Sequence, residues 1–208
     1  MNRLLPFLLL GFTCLAPMAY GQSYQLDELK RSMRNDAKAL LDALPWSDEH
    51  EGFVLKRKGE AEGRNKAVML EDAEAWLRSY FEANANRPQD VQVEGDRITA
   101  NRAVELPVKI ERSLGIDVGA ELDFLFRIQI DLKEGRYRII IDELEFDYTD
   151  VCPIQDYGCF WGDKVNFVNR GNSKAYLQAL EQVQPTLDDV LEEAEAALRG
   201  EEAYSDDW

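Results

Sequence analysis

The sequence is poor in the residues that most enzyme chemistry needs. It has one histidine, His50, and three cysteines, Cys14, Cys152 and Cys159. A Ser-His-Asp or Cys-His site requires a histidine beside a nucleophile. Only His50 is available, and no G-x-S-x-G occurs, so no catalytic residue is assigned. Thiols and imidazoles are too few for a zinc site. The acids Asp147 and Asp150 lie close together, but no D-x-D-x-D-G calcium loop surrounds them. Gly115-x-x-x-Gly119 lacks the strand-to-helix setting of a phosphate loop and reads as a turn. Neither a metal nor a cofactor is expected. Basic residues are also scarce: 24 Lys and Arg stand against 40 Asp and Glu, a formal net charge of −16. That balance lacks the basic footprint of a nucleic-acid binder and disfavours anionic lipid surfaces. Internal repeats and low-complexity segments are absent, and no stretch after residue 21 is apolar enough to span a membrane.

What is present begins with an export signal. Arg3, the apolar run Leu4 to Leu15 and the small-x-small site Ala19-Tyr20-Gly21 read as a secretory signal peptide over residues 1–21. Cys14 sits in Gly11-Phe12-Thr13-Cys14, a poor lipidation motif, so a soluble exported protein is expected, periplasmic or extracellular. Removing these 21 of 208 residues, with Arg3 their only charge, leaves 187 residues at −17. Cys152 and Cys159 then remain, and in an oxidising compartment they can close the loop CPIQDYGC as a disulfide. A redox pair is the lesser reading, because the spacing is not C-x-x-C.

The stretch Glu121 to Tyr148 organises the rest. Leu122, Phe124, Phe126, Ile128, Ile130 and Leu132 alternate with polar residues, the period of a strand with one buried face. Lys133-Glu134-Gly135-Arg136 is the turn, with Gly135 supplying a positive φ. Pairing Leu132 with Tyr137, Ile130 with Ile139 and Ile128 with Ile141 keeps the apolar faces together. Beyond that point Phe126 faces Glu143 unless one extra residue intervenes. A β-bulge is therefore predicted near Asp142-Glu143, restoring Phe126 to Leu144, Phe124 to Phe146 and Leu122 to Tyr148. The competing phase turns Asp142 inward, at a cost if that carboxylate is unpaired.

Around this hairpin, helical spacing predicts a helix over Gln22 to Leu44, ended by Pro45, then a polar linker Trp46 to Glu51. Phe53 to Lys58 reads as a strand and Gly59 to Gly63 as a turn. Asn65 to Ala85 reads as a helix whose apolar stripe is Leu70, Ala73, Trp76, Leu77, Tyr80 and Phe81, with an acidic first turn. Val91 to Val93 and Arg97 to Ile110 read as strands. Pro107, out of phase and lacking an N–H, marks an edge or a bulge. Glu111 to Gly119 reads as a loop and Thr149 to Gly171 as irregular. A last helix, capped by Ser173, carries Tyr176, Leu177, Leu180, Val183, Leu187, Val190, Leu191, Ala194 and Leu198, with Pro185 kinking or splitting it. An acidic tail occupies 200–208.

From Phe53 the order is strand, helix, four strands, helix. The Glu71-to-Phe81 helix with Trp76-Leu77, the strand entry Gly95 to Leu106, and LKEGRYRIIIDELEF at 132–146 carry a resemblance. The chain resembles an uncharacterised, exported bacterial family, a domain of unknown function with a TATA-binding-protein-like fold. The resemblance implies an α+β fold with an antiparallel sheet in β-α-β-β-β-β-α order, and it transfers no catalytic residue. The helix before the first strand and the cysteine-bearing excursion depart from that pattern. The resulting division is residues 1–21 as signal, 22–51 as added helix and linker, 52–199 as the α+β domain with its loop at 149–172, and 200–208 as tail.

Fold does not imply function, so the functional expectations rest on side chains. The acids Asp142, Glu143, Glu145 and Asp147 suit paired-carboxylate chemistry in type, but alternating acids on a strand ordinarily form its solvated face. Phe160 and Trp161, beside the cysteine pair, are candidate interaction residues; the bland alternative has them capping the sheet. The leading expectation is a non-enzymatic exported domain that binds a protein or envelope component. The alternative is a carrier of an apolar ligand in a cavity lined by residues such as Trp76, Phe124, Phe126 and Ile139. An enzyme ranks third.

Overall fold

The structure, a computed structural model, describes residues 31–82, 91–112, 116–147, 151–155 and 167–201. The elements are α1 (31–42), β1 (Trp46–Ser47), β2 (Gly52–Phe53), β3 (Leu55–Glu60), α2 (Lys66–Glu82), β4 (Val91–Glu94), β5 (Arg97–Arg112), β6 (Ile116–Lys133), β7 (Arg136–Asp147), β8 (Val151–Pro153) and α3 (Phe167–Arg199). This is the expected α+β class, with the added N-terminal helix in place. Strands β3 to β8 form one six-stranded antiparallel sheet in the order β3-β7-β6-β5-β4, and β8 lies beside β7. The export signal, Cys159, Phe160, Trp161, Asp150 and most of the acidic tail lie outside the described residues.

The β6–β7 hairpin follows its alternation. Leu122, Phe124, Phe126, Ile128, Ile130 and Leu132 are all buried, in one core cluster with the apolar faces of α2 and α3. At about 1.5–3 kcal/mol each, their burial contributes roughly 10 kcal/mol gross. Leu132 pairs with Tyr137, Ile130 with Ile139, Ile128 with Ile141 and Phe124 with Phe146, and Gly135 takes the turn at φ 63°. The register shifts between Leu125 and Arg127, opposite Glu143, which adopts φ 53°. The bulge is thus where the apolar phase demanded it.

Other boundaries move. The expected loop from Glu111 to Gly119 is mostly strand: β5 runs to Arg112 and β6 starts at Ile116, paired residue for residue. Ladder hydrogen bonds make a strand of a stretch with weak alternation. Thr149 to Gly171 is not wholly irregular, since β8 pairs with β7 and α3 already begins at Phe167, ahead of Ser173. Pro185 does not split α3, which is one helix of 33 residues. Val183 and Leu187, on either side of Pro185, are both buried, and this packing outweighs one lost backbone bond. On α2 the inward stripe is Met69, Ala73, Trp76 and Leu77, with Leu70 only half-buried, and the first turn carries no acid. Its cap is the Asn65 side chain, which accepts from the Val68 N–H at 2.9 Å.

Two close contacts fix the end where α3 stops. Gly59 pairs with Tyr137, whose ring lies so close that any Cβ at 59 would collide with it. The Tyr137 hydroxyl donates to Glu195 at 3.3 Å. Gly200, at φ 68°, ends α3: its N–H bonds to the Ala197 carbonyl and that of Glu201 to Ala196, the 5→2 and 6→1 pair of a Schellman cap. Arg64 donates to the helix-terminal carbonyls of Ala197 and Leu198, both at 3.2 Å.

Candidate functional site

Strands β3 and β8 share one edge of β7. The first covers Arg136 to Ile141 and the second Glu145 to Asp147, so Asp142, Glu143 and Leu144 lie between them. A cleft of about 180 Å³ opens there, lined by the β1–β2 turn, the bulge and the end of β8. Its charged and titratable lining is His50, Glu51, Arg127, Asp142, Glu143 and Glu145.

The bulge decides which way these groups point. Asp142 is buried, against the expectation that it lies on a solvated face. Arg127, directly opposite on β6, donates from Nε to its Oδ1 at 2.8 Å and from Nη2 to its Oδ2 at 2.9 Å. This two-pronged contact is the strong form of a guanidinium–carboxylate pair. The same guanidinium meets Glu143 at 2.6 Å. Its bond to Asp142 raises the Arg127 pKa, so it stays charged. Glu145, half-buried with Glu143 nearby, has its carboxyl raised above the usual range, by burial first and by the Glu143 charge second.

The backbone is strained at this same place. The two described non-glycine residues with positive φ are Glu51, at 50°, and Glu143, at 53°, and both line the cleft. A side chain in that region costs on the order of 1–2 kcal/mol, which tertiary contacts must offset. Beside the cleft, Trp46 on β1 is 51% exposed. It stands edge-on to Phe53 at 5.2 Å, and its Nε1 donates to Asp48 at 3.0 Å. The expected polar linker is therefore a small ribbon that holds an indole outward.

The lining contains no Ser, Thr, Cys or Lys, so His50 meets no hydroxyl, thiol or amine nucleophile there. Asp142 and Glu143, half of the expected carboxylate cluster, are both engaged by Arg127. Asp147, the last of that cluster, is half-buried at the end of β7 and does not line the cleft. Among the described residues no three His, Cys, Asp or Glu side chains converge as metal ligands, and no helix is long and apolar enough to cross a membrane. Cys152 is buried on β8 opposite Phe146. Sequence reasoning missed Arg127 and Trp46. The signal for the first was the predicted register, in which Ile128 opposite Ile141 sets Arg127 opposite Asp142. For Trp46 it was the aromatic pair Trp46 and Phe53 flanking a short polar turn.

No family model and no curated protein matches the sequence. Two solved structures are similar. A TBP-like protein from Parabacteroides distasonis is 15% identical, with 73% of this chain and 97% of that one covered at a TM-score of 0.48. A DUF4468 family protein from Bacteroides ovatus is 14% identical, with 75% and 90% covered at a TM-score of 0.51. At such identity the second likeness speaks for the fold alone. The chain is an α+β domain with the fold of that domain-of-unknown-function protein, in keeping with the strand and helix order described above.

Proposed function

We propose that this chain is an exported, non-enzymatic domain that binds a protein or a cell-envelope component through the corner formed by the β1–β2 ribbon and the β7 bulge. The observation that carries the reading is Trp46. A large aromatic is held half-exposed by Phe53 and Asp48 instead of being packed away. Tryptophan anchors that need no reordering are the usual energetic centres of protein interfaces. The cleft beside it offers a rim of acids for specificity. Export rests on the first 21 residues, and the Cys152–Cys159 bond is part of the same proposal. Phe160 and Trp161 remain candidates for the same surface.

The test uses the mature protein as bait in envelope extracts, beside Trp46→Ala and a Val68→Ala control on α2. A component retained by wild type and control but lost with Trp46→Ala supports the reading. Equal retention by all three refutes the Trp46 corner. An intact Met1 on the folded, cell-associated protein would refute export. The rival, a carrier of an apolar ligand, has less support. Its cavity-lining residues touch one another, with Phe124 at 5.4 Å from Phe126 and 5.8 Å from Phe146 between ring centres.

A further inference from the structure

Across the sheet from the cleft, the outer edge of β5 is only partly covered by a neighbouring strand. Strand β4 pairs only with Arg97 to Ala100, yet β5 continues to Arg112. An uncovered strand edge presents a row of N–H and C=O groups that another chain can pair with. Here that row meets side chains from α3. Gln178 behaves like a strand residue: its Oε1 accepts from the Lys109 N–H at 2.8 Å and its Nε2 donates to the Lys109 carbonyl at 3.3 Å. Gln182 donates to the Pro107 carbonyl at 3.0 Å. It is held by a second bond to the Gln178 carbonyl, at 2.8 Å.

The spacing explains why two glutamines suffice. Four residues of helix rise about 6 Å, and two residues of strand advance about 6.6 Å. Residues 178 and 182 therefore face 109 and 107 in step. Residue 108, between them, turns its amide groups to β6. Pro107 removes one more N–H from this row, and exposed Lys109 adds charge to it. Further along, the Asn101 carbonyl is taken by Arg102 Nη1 at 2.8 Å. Proline, lysine and side-chain amides thus converge on one stretch of edge.

We propose that Gln178 and Gln182 lock the β5 edge, and that releasing them lets Pro107 to Lys109 pair with the same edge of a second copy of this chain. An antiparallel strand meeting its own copy is self-complementary about a two-fold axis, so the exposed groups of one copy match those of the other.

The test compares the full mature protein with Gln178→Ala/Gln182→Ala by light scattering across a concentration series, with amide exchange at Lys109 and circular dichroism as a fold control. The expected result is a Lys109 amide that exchanges about tenfold faster at low concentration, and a mass that rises to twice that of wild type as concentration increases. Adding Lys109→Pro, which removes the outward N–H without touching the β6 ladder, returns the mass to the wild-type value. Should the alanine variant not fold, Gln178→Met/Gln182→Met keeps the volume closely and loses every bond to the Lys109 N–H and to both carbonyls, and must show the same rise. A folded variant with wild-type mass at every concentration overturns the proposal. So does a rise that Lys109→Pro fails to reverse.

Discussion

Replacing Arg127 by methionine leaves Asp142 buried with no cation beside it. The side chains of the pair are 34% and 10% exposed, respectively. Breaking a fully buried pair costs about 3–5 kcal/mol, whereas an exposed one is worth about 0–1. With one partner sheltered and the other a third open to water, Arg127→Met should cost about 2 kcal/mol. Asp142→Asn leaves a partly solvated arginine and a neutral amide, and should cost about 1 kcal/mol. The double variant has no stranded charge, so its loss should fall short of the sum by at least about 1 kcal/mol. Urea unfolding followed by tryptophan fluorescence measures all three, with m unchanged if the denatured state is unaffected. High salt should alter the coupling little, because screening acts weakly on sheltered pairs. A coupling below about 0.5 kcal/mol would mean that Arg127 does not hold Asp142 in, and that the bulge alone sets its direction.

Trp76→Ala should cost about 3–5 kcal/mol as a large core truncation, and a loss below about 1 in urea unfolding would show that Trp76 is not held in the core. Gly59→Ala forces a methyl group against the Tyr137 ring and should cost about 1–3 kcal/mol, whereas Gly59→Ala in a Tyr137→Ala background should cost less than half of that. Asp131 is partly buried, which pushes its carboxyl up, but bonds from Arg97 and Arg138 outweigh this and hold it below the usual range. A depressed pKa gives stability that is present above the unfolded carboxylate value and lost as pH falls through the folded one. The acid limb of the stability curve should therefore be shallower in Asp131→Asn than in wild type, and parallel limbs would refute the assignment. Alkylation should find no free thiol at Cys152 or Cys159 in the exported protein. Reduction should speed hydrogen exchange only between 149 and 171, so two free thiols without reductant, or protection lost across β6 and β7, would each contradict the proposed bond.

Sequence alone determined the features that depend on neighbours along the chain. The period-two run from Leu122 to Leu132 has one sensible buried face, and Gly135 one sensible role. Keeping Phe124 opposite Phe146 after Ile128 had met Ile141 required one surplus residue, so the bulge at Asp142-Glu143 was legible as arithmetic on the apolar phase. On α2 as far as Leu77, and on α3, the stripes were legible for the same reason, apart from Met69, one position from the half-buried Leu70, and the half-buried Leu177. Only the tertiary structure decided the rest, because the deciding partner is distant in sequence. Asp142, on the face away from the core, is buried because Arg127 stands across the ladder and holds it. Residues 111–112 and 116–119 are strand because β5 and β6 pair there, from Arg112 with Ile116 to Lys109 with Gly119, although their own pattern is weak. Pro185 sits in an unbroken helix because Val183 and Leu187 are packed on both sides of it. Trp46 is exposed because its ribbon folds back onto Phe53 at the cleft, and Gln178 and Gln182 meet Lys109 and Pro107 because helix rise and strand advance coincide there. Local period fixes which face is buried; only the fold determines which buried charge finds a partner and which edge is closed.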